Sequence, residues 1–158
     1  MRRFLTKSST LWILAVVQVA IGAGFFFIGD HFEFSLLDEV YSLDVVQAKL
    51  EALSSEQKRI HTITTATLDT MYPLAYGGMF VGLAWRFLGP AGSYAAIPGL
   101  AVIPIDLTEN SVQILALNGV RDVLVYKSWL TPMKFGLFLT AAIIALIAVG
   151  VAVRRKFF

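Results

Sequence analysis

Four polar side chains lie inside a long apolar stretch of the sequence and could form one membrane-embedded site. The stretch covers residues 93–117 and contains Asp106, Glu109, Asn110 and Gln113. Offsets of three, four and seven residues place these side chains along one face of a helix. Because a charged side chain at membrane depth is costly, such residues usually face a bundle interior and mark a proton, ion or ligand site.

Polar side chains in the other apolar stretches are predicted to face the same site. Asp69, Tyr72 and Tyr76 share one helix face through spacings of three and seven residues. At a rise of about 1.5 Å per residue, Lys134 lies at the depth of Asp69, and Gln18 lies near the middle of the first stretch. We therefore expect an acidic, tyrosine-lined pocket in the outer half of the bilayer. Its predicted ligand-binding residues are Gln18, Asp69, Tyr72, Tyr76, Asp106, Glu109, Asn110, Gln113 and Lys134.

The charges of this predicted cluster do not balance. Asp69, Asp106 and Glu109 with Lys134 give −3 + 1 = −2. Since each uncompensated buried charge costs several kcal/mol, three states are open. One or two carboxylates are protonated, or a hard cation such as Mg²⁺ or Ca²⁺ binds with Asn110 as a further oxygen ligand, or the pocket is wet and open outward.

The start of the last apolar stretch bears on the partner of Lys134. Thr131-Pro132 is typical of an N-cap followed by proline at the first helical position. Lys134 would then lie in the first turn, where the helix dipole disfavours a cation. A carboxylate partner, Asp69 or Glu109, would offset this penalty. The alternative is a lysine that extends to the outer headgroups.

The leading functional prediction is binding of a lipid headgroup, a cation or a small amphiphile. One alternative is a membrane enzyme that uses Asp106 and Glu109 as acid and base on a lipid-like substrate. A second alternative is an accessory subunit of a membrane complex, in which the polar side chains form only interhelical hydrogen bonds. A third is a proton-coupled transporter. It would have to be an oligomer, because this four-span chain lacks the internal repeat that alternating access usually uses. Whether the chain is an enzyme stays open. The sequence shows no haem, zinc or nucleotide signature.

Composition indicates one membrane domain over residues 1–158. The chain is 57% hydrophobic and 15% charged, against about 25% charged residues in soluble domains. Cysteine is absent, which excludes disulfides and thiol nucleophiles. The basic residues lie beside apolar stretches, so they indicate topology and not nucleic-acid binding.

The sequence predicts an all-α bundle of four transmembrane helices. The predicted spans are residues 11–28, 68–88, 93–117 and 130–153. Basic residues flank the two termini and the turn between the second and third spans, while the acidic residues outside the spans lie on the other side. The positive-inside rule then puts both termini in the cytoplasm, at an inner or plasma membrane. Removal of the first span as a signal peptide is the alternative, and it would leave three spans.

The segment 29–67 is predicted to be a helical lid or collar on the outer membrane surface, with a partner-binding helix as the alternative. Ser42 followed by Asp44 indicates a helix start. The apolar face of that helix would comprise Val46, Leu50 and Leu53. Ser54 with Gln57 resembles a capping box, from which a helix continues into the second span.

Glycine and proline positions predict how the spans pack and bend. Gly78-x-x-x-Gly82 lets another helix approach closely, either within the bundle or in a homodimer. Pro73 removes a backbone donor and so frees the carbonyl of Asp69 while bending the helix. Similar kinks are expected in the third span, at Pro98 and Pro104.

Overall fold

In the computed structural model, which describes residues 1–32, 37, 40 and 42–157, every regular element is a helix. This confirms the predicted all-α class. The α-helices, in chain order, are α1 (Arg2–Leu5), α2 (Ser8–His31), α3 (Leu43–Ala52), α4 (Ser55–Thr64), α5 (Thr70–Phe87), α6 (Gly92–Ala95), α7 (Ile97–Leu117) and α8 (Lys127–Phe157). A π-helical turn, Thr65–Asp69, joins α4 to α5, and 3-10 turns cover Gly89–Ala91 and Asp122–Tyr126.

Three helical segments of the described chain are long and apolar enough to cross a membrane. They are Ser8–His31, Gly89–Leu117 and Asp122–Phe157. They correspond to the first, third and fourth predicted spans. The second predicted span, helix α5, is not one of them, because Pro73, two tyrosines and Arg86 make it less apolar. Helix α5 packs against α2, α7 and α8, and a helix surrounded by others needs less lipid-facing apolar surface.

The centre of the bundle is formed by α5, α7 and α8. Its buried core contains Tyr76, Phe80, Val102, Ala141 and Ala145. A Cβ atom at Gly77 would lie 2.5 Å from the Ile103 side chain and 3.0 Å from the carbonyl oxygen of Gly99. Glycine at position 77 therefore sets the close approach of α5 to α7.

The predicted small-residue motif packs on the N-terminal helices of the same chain. A Cβ atom at Gly82 would lie 2.5 Å from the Leu5 carbonyl oxygen, and one at Gly78 would contact Leu14 at 3.5 Å. Within one chain, this face of α5 receives α1 and the start of α2. The homodimer through Gly78 and Gly82 stays a prediction.

The segment before α5 has the predicted helical elements. Helix α3 follows Ser42, and Val46 and Leu50 are buried in a cluster with Leu37, Ala116, Leu117 and Leu124. The capping box of Ser54 and Gln57 is present. Residues 33–36, 38, 39 and 41 of the predicted segment lie outside the described residues. We call the end of the bundle that carries α3 the cap end, and the end that carries both termini the basic end.

Two predictions about prolines were wrong. Helix α8 begins at Lys127, so Pro132 lies inside the helix and Thr131 is not its N-cap. The reason is that the Thr131 hydroxyl donates to a carboxylate of α7 instead of capping a helix end. Pro98 does not interrupt a helix, because α6 ends before it and α7 begins at Ile97, which places Pro98 in the first turn of α7. A proline in the first helical turn removes no helical hydrogen bond.

Candidate functional site

The carboxylate of Glu109 is in contact with three side chains of α8. The residue is fully buried on α7. Lys127 Nζ lies 2.6 Å from its Oε1 atom, and Lys134 Nζ lies 2.6 Å from its Oε2 atom. The hydroxyl of Thr131 also donates to Oε1. Positions 127, 131 and 134 share one face of α8, and the side chains of all three contact this carboxylate.

Lys127 and Thr131 were not predicted as site residues. Lys127 stands four residues before Thr131 and seven before Lys134, a spacing that places all three on one helix face. This periodicity could have identified them. The wrong helix start at Thr131 hid it, because it put Lys127 in the preceding loop.

Asp106 continues the polar network one turn along α7. The Tyr76 hydroxyl donates to Asp106 Oδ2 at 2.5 Å. On the other side, Lys134 Nζ lies 3.8 Å from Asp106 Oδ1. Lys134 therefore lies between the carboxylates of Asp106 and Glu109. Hydrogen-bond donors and carboxylates therefore alternate along the network, in the order Tyr76, Asp106, Lys134, Glu109 and Lys127. All five residues are buried.

Asn110 joins α7 to the start of α5 through the main chain. Its Nδ2 atom donates to the carbonyl oxygen of Asp69 at 2.9 Å. Pro73, four residues further on, has no N–H for that carbonyl. The carbonyl that the proline frees is thus bound by a side chain of the neighbouring helix, and Asp69 itself is buried at the end of the π-helical turn.

The remaining predicted site residues occupy different surroundings. Gln113 is fully buried on α7, one turn beyond Glu109 toward the cap end. The Tyr72 ring packs edge-on against Tyr76, with centroids 5.3 Å apart. Gln18 donates to the Leu14 carbonyl oxygen and to the Met79 sulfur, so its amide nitrogen is directed to these groups and not to a carboxylate.

Lys127 changes the charge balance of the cluster. Asp69, Asp106 and Glu109 with Lys127 and Lys134 give −3 + 2 = −1, in place of the predicted −2. A buried ion is tolerated when it is paired and hydrogen-bonded. The part of the chain that the structure describes has no cluster of three or more His, Cys, Asp or Glu side chains that could hold a metal ion.

The cap end has its own buried cluster of apolar side chains. Leu37, Val46 and Leu50 pack on Ala116 and Leu117 of α7. The backbone N–H of Leu37 donates to Nε2 of His61 at 3.3 Å, and His61 is fully buried. Accepting this bond requires an unprotonated Nε2 atom, so His61 holds the cap in its neutral form.

Comparison with known protein families, with curated proteins and with solved structures found no significant match to this chain.

Proposed function

We propose that the chain is a four-span protein of the inner or plasma membrane with both termini in the cytoplasm. Three helical segments have the length and hydropathy of spans, and α5 lies among them. An antiparallel path through four spans returns the C-terminus to the side of the N-terminus. The basic residues near both termini favour the cytoplasm for that side.

The site is proposed to bind the polar headgroup of a zwitterionic lipid or small amphiphile in the outer half of the bilayer. The observation that supports this is the carboxylate of Glu109 bound by two lysines. Replacing a buried ion pair with apolar residues is often neutral or stabilising, so packing alone does not explain five charged side chains here. Charged groups inside a membrane bundle are typical of a functional site.

A ligand with both signs of charge suits this cluster better than a bare cation. A cation next to Glu109 would meet the ammonium groups of Lys127 and Lys134, each 2.6 Å from the carboxylate. A zwitterion brings an anion for the lysines and an amine for Asp106 and Glu109. In this account the internal ion pairs are the closed, unliganded state, and the ligand exchanges with them.

Native mass spectrometry of the purified full chain tests this proposal with three added lipids. The probes are phosphatidylethanolamine, phosphatidylglycerol and uncharged diacylglycerol. We expect the wild type to retain phosphatidylethanolamine in preference to diacylglycerol, and we expect this preference to be lost when Glu109→Gln is combined with Lys127→Met. That pair removes one charge of each sign, so the net charge of the cluster is unchanged, and Lys134 keeps the carboxylate of Asp106 at 3.8 Å.

The matched control removes an exposed ion pair. Arg121 and Glu51 pair at 3.1 Å on the surface, so Glu51→Gln with Arg121→Gln should leave the lipid preference unchanged. Equal retention of phosphatidylethanolamine and diacylglycerol by the wild type, or equal effects of the two double variants, would contradict the proposal. The membrane-enzyme, transporter and accessory-subunit alternatives stay predictions.

A further inference from the structure

A groove lies at the basic end, away from the ion pairs of Glu109. It is a groove of about 670 Å³ between α2, α5 and α8. Leu83, Ala142, Ala145 and Leu146 contribute apolar surface to it, and Arg86 lies at its basic end. Its volume falls within the range of about 300–1,000 Å³ that small-molecule sites occupy.

Arg86 is held in a fixed position at this groove. Its guanidinium donates to the carbonyl oxygen of Thr6 at 3.1 Å and to the hydroxyl of Ser8 at 2.8 Å. Ser8 also lines the groove, while Arg86 is exposed. A guanidinium has five N–H donors in a planar fork that matches a phosphate group. The groove thus joins an apolar channel to an oriented, solvent-accessible anion-binding group.

The charge of the surrounding chain favours an anionic occupant. The segments 1–29, 70–105 and 135–158 contain no Asp or Glu. They contain seven basic residues, which are Arg2, Arg3, Lys7, Arg86, Arg154, Arg155 and Lys156. Basic pockets between transmembrane helices at the cytoplasmic side are typical binding sites of anionic lipid headgroups.

We propose that this groove binds an anionic phospholipid of the leaflet at the basic end. One acyl chain lies along the apolar surface between α2, α5 and α8, and the phosphate contacts Arg86. This site is separate from the proposed headgroup site around Glu109, because it opens at the opposite end of the bundle and uses none of the same side chains.

Lipid retention by charge variants tests the assignment. Phosphatidylglycerol is added to the purified full chain, and bound lipid is counted by native mass spectrometry. We expect Arg86→Gln to lower retention about fivefold, the factor expected for one basic group near an anionic lipid, and Arg86→Lys to retain most of it. Arg155→Gln is the matched control. Arg155 also lies at this end, where it donates to the backbone carbonyl of Phe87 at 3.2 Å, but it does not line the groove.

A second variant tests the apolar part of the groove. Ala142→Leu should reduce phosphatidylglycerol retention because it fills volume while leaving every charge in place. Equal loss in Arg86→Gln and Arg155→Gln would overturn the proposal, as it would show only the general attraction of a basic surface. The proposal would also be overturned if the wild type were a dimer and Ala142→Leu dissociated it, because the groove would then be occupied by a second copy of the chain. The double variant of Glu109 and Lys127 should leave this retention unchanged, which separates the two sites.

Discussion

Lys127 and Lys134, seven residues apart on α8, place their ammonium groups on the two oxygens of one carboxylate, that of Glu109. The two contacts tie α8 to α7 over two helical turns near the cap end. Since the carboxylate is fully buried, neither ion pair is screened by solvent salt as a surface pair would be. The arrangement therefore fixes the relative positions of α7 and α8.

Removal of the Tyr76 hydroxyl should destabilise the bundle. In Tyr76→Phe the aromatic packing with Tyr72 and Phe138 is kept, but the donor to Asp106 is lost. Hydrogen bonds to charged groups contribute about 1.5–3 kcal/mol, and we expect a loss of free energy of unfolding in this range, measured in mixed detergent micelles. Tyr94→Phe is the control, because Tyr94 is 79% exposed. Equal stabilities of the two variants would contradict the assigned bond.

The amide of Asn110 should contribute less to stability when Pro73 is replaced. Pro73→Ala restores an N–H that can bond to the Asp69 carbonyl, so Asn110→Ala should then cost less free energy of unfolding than it does in the wild type. Interhelical hydrogen bonds in membranes average about 0.6 kcal/mol and reach about 1.7 kcal/mol, which bounds the expected coupling. A double-mutant cycle measures it, and strictly additive effects would show that the two positions are independent.

Acidification should loosen the cap end. Protonation of His61 converts Nε2 into a donor that faces the Leu37 N–H, so the stabilisation is present when the imidazole is neutral and is lost as pH falls. We expect faster hydrogen exchange at Leu37 and in α3 at pH 5 than at pH 7.5, after correction for intrinsic exchange rates. His61→Gln keeps an acceptor that does not titrate and should abolish the difference. If the pH response of hydrogen exchange persisted in His61→Gln, a titrating group other than His61 would be responsible.

Hydrophobic pattern and local end signals were sufficient for much of the fold. The apolar stretches gave three of the span candidates, and Ser54 with Gln57 correctly marked the start of α4. Both kinds of signal depend on residues close together in sequence. The helix start at Lys127 was missed because Thr131-Pro132 is itself a typical helix start. The contacts of Lys127 and Thr131 with Glu109 join residues far apart in sequence, so local signals do not reveal them.

The sequence was sufficient to select the carboxylates of the candidate site, but it did not predict which lysine pairs with which carboxylate. Periodicity placed Asp106 and Glu109 on one face of α7, but no spacing rule states which cation meets which acid across a helix interface. The π-helical turn before α5 was also absent from the prediction. Pro73 leaves the Asp69 carbonyl without its helical donor, and the Thr70 hydroxyl donates to the Thr65 carbonyl across the turn at 2.9 Å. Such turns depend on tertiary contacts that sequence periodicity does not contain.

A double-mutant cycle on Glu109 and Lys127 tests the buried ion pair most directly. Glu109→Gln alone takes the carboxylate away from Lys127 and leaves Lys134 only that of Asp106, 3.8 Å away. Removing one partner of a buried pair costs about 3–5 kcal/mol. The double variant with Lys127→Met should lose less free energy of unfolding than the sum of the single variants. The exposed pair of Glu51 and Arg121 is the reference, with an expected coupling of about 0–1 kcal/mol. A Glu109–Lys127 coupling no larger than this reference would contradict the account.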